Sequence, residues 1–245
     1  MKVIRAISVA AALLLFCYIL TLTVWLRKFP GEDVMCSRLT VVLQSGGDMR
    51  FVSEANITDA LKQAGLDPVG RLMKTINTDK IERELMRNEM LERIHAYKTP
   101  SGIIRIDIRQ KNPILRVISH DGSFYVDRNG STMPVSRRYT ARVPLASGYV
   151  EKEFATTQLY RFALFLQENE FWNNQIEQIY VHPDQDVELI PLVGNHRILL
   201  GTLDNFREKL DNLQLFYEQA IPKLGWEKYS IINLKFRNQI VCTKK

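Results

Sequence analysis

A run of uncharged residues from position 6 to position 26 constrains this chain more than any other feature. As a helix, the run is about 31 Å long at ~1.5 Å per residue, which matches the ~30 Å hydrocarbon core of a bilayer. Lys2 and Arg5 precede it, and Arg27 and Lys28 end it. The run therefore predicts a transmembrane helix over residues 6–26.

Two cleavable targeting signals also carry an apolar run near the start of a chain. A secretory signal peptide has a shorter apolar core and small residues at its cleavage site, but the stretch from Thr21 to Trp25 offers no such site. A lipoprotein signal places a small residue before its cysteine, whereas Cys17 follows Phe16. We therefore interpret the run as an uncleaved anchor. Its two ends carry equal numbers of basic residues, so charge leaves its orientation open.

The charge of the chain argues against nucleic-acid binding. The net charge of +6 arises from 33 basic and 27 acidic residues. Four of the basic residues flank the apolar run, and the remaining 29 nearly balance the 27 acidic ones. A nucleic-acid-binding domain is expected to concentrate its basic residues on one face, so we expect no nucleic-acid partner.

The three cysteines do not make a disulfide framework. Cys17 lies within the apolar run, while Cys36 and Cys242 are far apart in the sequence. Those two could pair only if the fold brought their α-carbons within about 7 Å of each other. The sequence leaves that pairing open.

The segment from Arg38 to Gln110 predicts the order strand, helix, helix, strand, strand. Ser53 is suited to cap the first helix, and Asn77 or Thr78 the second. Around Ile106, isoleucines alternate with charged residues, which is typical of a strand with one buried and one solvated face. These patterns predict a small α+β domain in which two short helices are stabilised by packing on a three-stranded sheet.

The sequence after Asn112 predicts a second, mostly antiparallel β domain with two helices. An apolar stripe indicates a helix over residues 153–169, and a second helix is predicted over residues 203–220. The strands are predicted over residues 114–119, 123–126, 176–182, 187–191, 197–200, 229–235 and 239–243.

The predicted fold class is therefore α+β, with a single N-terminal transmembrane helix, a βααββ domain and a β-rich domain. The predicted boundaries are a short tail over residues 1–5, the transmembrane helix over 6–26, a linker over 27–37, the first domain over 38–112 and the second over 113–245.

No pattern in the chain argues for catalysis. The four histidines do not have metal-ligand spacing to one another or to a cysteine. The G-x-S-x-G elbow, the H-E-x-x-H motif and a glycine-rich phosphate loop are missing from the sequence. We therefore predict no catalytic, cofactor-binding or metal site, and no small-molecule substrate.

Four segments of the chain carry a recognisable pattern. They are residues 106–114 (IDIRQKNPI), 125–131 (YVDRNGS), 198–201 (ILLG) with Phe206, Lys209 and Leu210, and 232–239 (INLKFRNQ). Taken in order, these segments resemble the FtsQ (DivIB) family of bacterial cell-division proteins. The first looks like the family's passage between its two domains, and the second like its valine-aspartate-x-x-glycine turn. The third looks like the family's leucine-glycine strand end with the helix that follows, and the fourth like its C-terminal strand pair.

The chain departs mildly from the family pattern at a few positions. Gln110 stands where the family usually has Glu. In the last segment, Asn233, Lys235 and Phe236 stand where the family commonly has Asp, Arg and Tyr, and Gln239 stands near a family Gly. The resemblance nevertheless covers nearly the whole chain.

This resemblance implies a fold, a location and a role. The first domain resembles a POTRA domain, and the family is non-enzymatic. Its members bind the small bitopic division proteins FtsB and FtsL, and they link early division proteins to septal peptidoglycan synthases. The implied location is the bacterial inner (cytoplasmic) membrane, concentrated at the division septum. The N-terminus is then cytoplasmic and the C-terminal domain extracytoplasmic.

The resemblance also implies where partners bind. The family contact lies largely at the C-terminal sheet edge, where a partner segment adds as a strand to unpaired backbone groups. Carried over by position, it points to Lys235, Phe236, Asn238 and Tyr229. Phe236 is the kind of apolar anchor that binding hot spots favour. The alternative is that Phe236 simply belongs to the core or to a sheet face.

Two other functions remain as alternatives. The chain could be a different POTRA-bearing membrane assembly factor, although such proteins usually carry several such units or a barrel, and this sequence shows one unit and no barrel-length strand series. It could also be a membrane-anchored hydrolase, which would require a pocket with convergent titratable groups.

Overall fold

Two β-sheets organise the chain in the computed structural model, which describes residues 13–23, 34–44, 51–120, 122–237 and 239–245. The described residues divide into two compact units. The first unit comprises the described residues of Met1–Leu43, Glu54–Arg87 and Ile94–Ile108. The second unit comprises those of Gln44–Ser53, Asn88–Arg93 and Arg109–Lys245.

The predicted transmembrane segment is described only in part. Residues 13–23 form a helix, α1, with exposed side chains. The rest of the predicted segment, residues 6–12 and 24–26, lies outside the described residues, as do residues 1–5 and 27–33. Within the described part of the chain, no helix is long and apolar enough to cross a membrane.

The strand-helix-helix-strand-strand order predicted for the first domain is confirmed. Its three strands form one sheet in the order β1-β3-β2. A 3₁₀ turn at Met73–Thr75 lies between the helices. The elements are β1 (Arg38–Gln44), α2 (Glu54–Gln63), α3 (Thr78–Leu85), β2 (Leu91–Lys98) and β3 (Ile103–Gln110).

Packing and capping explain why these short helices form. Asn77 caps α3, because its side chain accepts a hydrogen bond from the Lys80 backbone N–H at 2.9 Å. The inner faces of both helices are buried, and so is every second residue of β3. These core residues are Ile57 and Leu61 in α2, Ile81 and Leu85 in α3, and Ile104, Ile106 and Ile108 in β3.

The second unit contains a single nine-stranded sheet in the order β12-β11-β10-β9-β8-β7-β4-β5-β6. The β4/β7, β7/β8 and β10/β11 pairings are parallel, and the others are antiparallel. Its elements are β4 (Pro113–Ser119), β5 (Gly122–Asp127), β6 (Thr132–Pro134), β7 (Leu145–Gly148), α4 (Lys152–Thr156), α5 (Gln158–Glu168), α6 (Glu170–Asn173), β8 (Ile176–Val181), β9 (Val187–Pro191), β10 (Arg197–Gly201), α7 (Phe206–Gln219), α8 (Ile221–Leu224), β11 (Tyr229–Asn233) and β12 (Val241–Lys244).

The structure differs from the prediction for this unit in its helices and in two strands. The helix predicted over residues 153–169 is broken at Thr157, where φ is −118° and ψ is −86°, so that α4 and α5 are separate. Asn205 takes a left-handed conformation with φ of 53°, and α7 therefore begins at Phe206 rather than Leu203. The short helices α6 and α8 and the strands β6 and β7 were not predicted from the sequence.

The two faces of the nine-stranded sheet have different surroundings. On one face, a row of buried apolar side chains crosses the strands and packs with α5 and α7 in the core. Neighbours in this row are Val117, Ala146, Ile179, Leu189, Ile198 and Ile232. The alternate residues point to the opposite face, which we call the open face. There Ile118 is 41% exposed.

Strand β7 has four residues and is the shortest strand of this sheet with a neighbour on both sides, and its last residue must be glycine. Gly148 has φ of 92°, a backbone conformation that L side chains rarely adopt. A β-carbon at this position would collide with the Val181 carbonyl oxygen and lie 3.1 Å from the Tyr180 ring. The pairing of β7 with β8 therefore depends on the missing side chain.

We expect Gly148→Ala to destabilise the second unit by about 2 kcal/mol or more, because a strained φ and a backbone clash act together. Urea unfolding followed by tryptophan fluorescence measures the change. Gly225→Ala is the matched control, since φ there is 80° but no atom lies within 4 Å of the added β-carbon. Equal losses for the two variants would remove the clash from this explanation.

Candidate partner-binding edge

Strand β12 ends the nine-stranded sheet and is paired through β11 alone in the described part of the chain. Its residues Val241, Thr243 and Lys244 are exposed, while Cys242 is half-buried against the core. An outer strand of this kind carries backbone N–H and C=O groups that another strand can pair with. The C-terminal edge of the sheet is therefore a template for strand addition.

The parallel pairing of β10 with β11 brings two loops together beside this edge. Leu199 lies opposite Asn233 in the register. Because parallel strands run in the same direction, the residues that follow β10 and β11 emerge at the same end of the sheet. Gly201 and Lys235 are consequently in close proximity, and a β-carbon on Gly201 would lie 3.0 Å from the Lys235 Cγ.

A groove of about 320 Å³ lies where these loops meet. Its walls are the loop after β10, the first turns of α7 and the segment after β11. The lining residues are Thr202, Asp204, Asn205, Glu208, Lys209, Asn212, Leu234, Lys235, Phe236, Arg237, Gln239 and Ile240. We call this the α7 groove.

A second, more open depression continues the α7 groove along the helix. It shares four lining residues with the groove and adds apolar ones from the middle of α7. Of these, Leu215 is exposed and Phe216 is half-buried. The charged groove, which contains Phe236, and the more apolar depression therefore form one continuous surface next to β12.

Lys209 holds the wall of the groove in place. Its ammonium group donates hydrogen bonds to the Leu200 carbonyl at 2.9 Å and to the Thr202 carbonyl at 2.7 Å. Burial, assisted by the nearby Lys235 charge, lowers the pKa of Lys209, while Asp204 acts in the opposite direction. The two carbonyl bonds make Lys209 a structural tie between the end of β10 and α7.

Two of the predicted site residues line the α7 groove. Lys235 forms an ion pair with Asp186, and its backbone N–H donates to the Asn233 side chain at 3.0 Å. The next residue, Phe236, is 53% exposed and is not a core residue. The groove therefore contains a lysine whose charge is balanced by Asp186, followed in sequence by an exposed phenylalanine.

The other two predicted residues do not join that pair. Tyr229 lies at the opposite end of β11, half-buried, with its ring 6.1 Å from the Phe216 ring. It faces Lys244 in the β11/β12 register. Asn238 lies outside the described residues.

The sequence analysis missed the contribution of α7 to this site. Glu208, Asn212 and Leu215 line the surface beside β12 although they lie far from the predicted residues in sequence. The signal was the order β10, α7, β11, because a strand-helix-strand unit usually makes its two strands parallel neighbours. That pairing would have placed the start of α7 beside Lys235.

A buried aromatic cluster supports the same region from inside. The His196 Nε2 lies 2.6 Å from the Tyr217 hydroxyl, and the Trp226 ring stacks on the imidazole at 6.0 Å between centroids. His196 is 3% exposed. Burial is the main cause that lowers the pKa of His196, and the Lys245 charge adds to it, whereas Glu227 opposes it.

The cysteines and acidic residues of the described part make no metal or disulfide site. Cys36, in the first unit, is a buried free thiol, and Cys242, in the second unit, is a half-buried free thiol whose pKa is raised by burial. No group of three or more His, Cys, Asp or Glu side chains within the described ranges could hold a metal ion.

Comparison with known proteins identifies the family. Residues 112–243, more than half of the chain, match the family described as FtsQ/DivIB, C-terminal related. Residues 34–109 match the POTRA-like domain. The chain therefore belongs to the FtsQ/DivIB family, which confirms the resemblance found in its sequence motifs.

One curated relative is the cell division protein FtsQ of Rhodothermus marinus. It is 26% identical over 180 residues, which cover 67% of this chain and 64% of that protein. The chain thus spans less than two thirds of the length of this relative.

We expect the stability of the second unit to fall as the pH drops below about 6.5. A histidine whose pKa is lowered in the folded state binds fewer protons there than in the unfolded state, so stability is complete above the unfolded pKa and is lost on acidification. The slope can reach about 1.4 kcal/mol per pH unit. Urea unfolding at pH 7.5 and pH 5.5 measures it.

Two variants separate this titration from the hydrogen bond. His196→Phe should reduce the pH dependence, because it removes the ionisable group. Tyr217→Phe should lower stability at both pH values but keep the pH dependence, because the imidazole stays buried. An unchanged slope in His196→Phe would show that other groups cause the acid sensitivity.

Proposed function

We propose that the chain is a non-enzymatic membrane scaffold of the bacterial division machinery, whose second unit binds FtsB/FtsL-type bitopic proteins by strand addition at β12. The observation that carries this proposal is the position of the exposed Phe236 in a groove directly beside an unpaired sheet edge. Backbone pairing gives a strand partner its affinity, and a pocket for a side chain gives it specificity.

The geometry suits a partner with two contacting parts. A strand added to β12 would extend the sheet, and the residues before or after it would meet the α7 groove. Phe236 and the exposed Leu215 offer apolar area at the two ends of that surface. Exposed aromatic and aliphatic groups next to an edge strand are the features from which binding hot spots are built.

The charges in the groove favour a partner with a defined register. Asp204 and Glu208 face the same space as Lys209, Lys235 and Arg237. Mixed charges of this kind select partners whose charges alternate in the complementary order, and they suppress shifted pairings. Because Lys235 is already paired with Asp186, the exposed ring of Phe236 is a group that a partner can still cover.

Membrane anchoring is part of the proposal. The uncharged run over residues 6–26 supports a single span. The family resemblance, and not the flanking charges, supports a cytoplasmic N-terminus and an extracytoplasmic C-terminal domain. The helical, exposed residues 13–23 lie within that run. Tethering confines the protein and its bitopic partners to one membrane, where weak edge contacts gain from a high effective concentration.

The proposed role is to link early division proteins to septal peptidoglycan synthesis. A scaffold needs several binding surfaces and no catalytic group. The relative from Rhodothermus marinus carries the name of a cell division protein, and this supports a septal location for the chain.

We expect Phe236→Glu to abolish co-purification of an FtsB-type partner with the full-length chain from detergent extracts. The charge would have to be desolvated where an apolar contact forms, which costs binding free energy. Leu192→Glu is the matched control, because Leu192 is 63% exposed on the loop between β9 and β10. Circular dichroism checks that both variants are folded. If folded Phe236→Glu still binds the partner, the C-terminal edge is excluded as the binding site.

We expect depletion of the protein to produce filamentous cells without septa, because the synthases would lose their link to early division proteins. A fluorescent fusion should gather at midcell. Time-lapse microscopy during depletion measures both. Uniform membrane labelling together with normal septation would contradict the division role.

A further inference from the structure

Arg116 is a partly buried cation on the open face of the nine-stranded sheet. Its guanidinium carbon lies 5.9 Å from the centroid of the Tyr125 ring, its neighbour on β5. Its Nε is buried and has no hydrogen-bond partner among the described residues. A buried donor without an acceptor is costly, so this nitrogen contributes no hydrogen bond to the stability of the described fold.

A cationic loop lies next to Arg116. The loop between β6 and β7 packs over Tyr125, whose hydroxyl accepts a hydrogen bond from the Ala141 backbone N–H at 3.3 Å. Tyr139 in the same loop contacts Phe51 edge-on at 4.8 Å between ring centroids. The loop carries three exposed arginines, and no acidic residue occurs from Arg128 to Val150; the three are Arg137, Arg138 and Arg142.

Partly exposed apolar side chains flank Arg116 on the open face. Leu145 on β7 is the other register neighbour of Arg116, and Ile118 lies two residues further along β4. Beyond them the same face carries Tyr180 and Ile190 on β8 and β9. Ser147 and Gln178, which hydrogen-bond to each other at 2.9 Å, separate Tyr180 and Ile190 from this pair. The apolar area next to the guanidinium is therefore that of Ile118 and Leu145, and an apolar area beside a cation has the composition of a protein-binding surface.

We propose that this surface, formed by Arg116, Ile118, Leu145 and the 137–142 loop, binds an acidic, amphipathic segment of a protein partner. A carboxylate of that segment pairs with the Arg116 guanidinium, whose two terminal nitrogens can donate two parallel hydrogen bonds to it. Its apolar side chains cover Ile118 and Leu145, and further acidic residues meet the loop arginines.

Charge complementarity favours this occupant over two others. A second copy of the chain would bring the same arginines against themselves, and like charges at an interface are unfavourable. An anionic lipid headgroup could meet the arginines but would leave the apolar side chains of the sheet face without a partner. An acidic segment with an apolar face satisfies both halves of the surface.

This site is separate from the edge at β12. Strand β4 is six strands away from β12 in the sheet order, or about 29 Å at ~4.8 Å per strand. A strand added at β12 would not reach Arg116. The second unit therefore has two surfaces that could hold two partners at once.

The test uses the full-length chain in non-ionic detergent and three fluorescent peptides of eight residues: (Leu-Glu)₄, (Leu-Lys)₄ and (Ser-Glu)₄. Fluorescence anisotropy measures their dissociation constants. We expect (Leu-Glu)₄ to bind most tightly. Arg116→Met should weaken its binding by about tenfold or more, the loss expected for a charge-assisted hydrogen bond. Arg161→Gln on the exposed surface of α5 is the matched control and should bind like the wild type.

A second readout separates binding from structure. If Arg116 serves a partner, Arg116→Met should leave the Tm unchanged or raise it, because it removes an unsatisfied buried donor. A lowered Tm together with unchanged peptide binding would show a purely structural role and overturn the proposal. Phe236→Glu should bind (Leu-Glu)₄ normally, so that failure of the β12 edge and failure of this site are distinguishable.

Four further outcomes would also overturn it. Equal binding of (Leu-Lys)₄ would remove the charge requirement, and equal binding of (Ser-Glu)₄ would remove the apolar one. Displacement of (Leu-Glu)₄ by monomeric dihexanoylphosphatidylglycerol at lower concentration than by unlabelled peptide would assign the site to lipid. A detergent-solubilised dimer that Arg116→Met dissociates would assign it to a second copy.

Discussion

The second unit depends on a four-residue strand. β7 joins β4 to β8, and both pairings are parallel. Ala146 fills the helix-facing side between Val117 and Ile179, and Gly148 fits only because it has no side chain. Without β7, the strands β4–β6 and β8–β12 would be two separate sheets, each with a new exposed edge. The continuous core beneath α5 and α7 follows from this join.

The fold could be predicted where hydrophobic periodicity is strong. The alternating isoleucines of β3 and the capping residue Asn77 placed their elements correctly, because local burial and local hydrogen bonding determine both. β7 could not be predicted in this way, since Leu-Ala-Ser-Gly has low strand propensity and is a strand only because β4 and β8 enclose it. Thr157 likewise breaks a continuous helical pattern through its backbone conformation.

Only part of the candidate binding site could be predicted, namely the residues that directly follow β11 in the sequence. Lys235 and Phe236 lie in the α7 groove as neighbours, whereas Tyr229 is at the other end of its strand. The helix wall, with Glu208 and Asn212, comes from a parallel pairing that is not visible in the residues of the edge itself. Strand periodicity specifies which side chains are buried, but it does not specify which strands are neighbours.

Two cations of the second unit show how structure and binding can be told apart. Lys209 is partly buried, and its ammonium group donates to two carbonyls, so its desolvation is compensated inside the protein. Arg116 is partly buried too, but its Nε has no acceptor within the described residues. The first pattern is that of a residue retained for folding. In the second, the contact with the Tyr125 ring holds the guanidinium in place of a carbonyl acceptor, so its terminal N–H groups can still donate to an acidic partner.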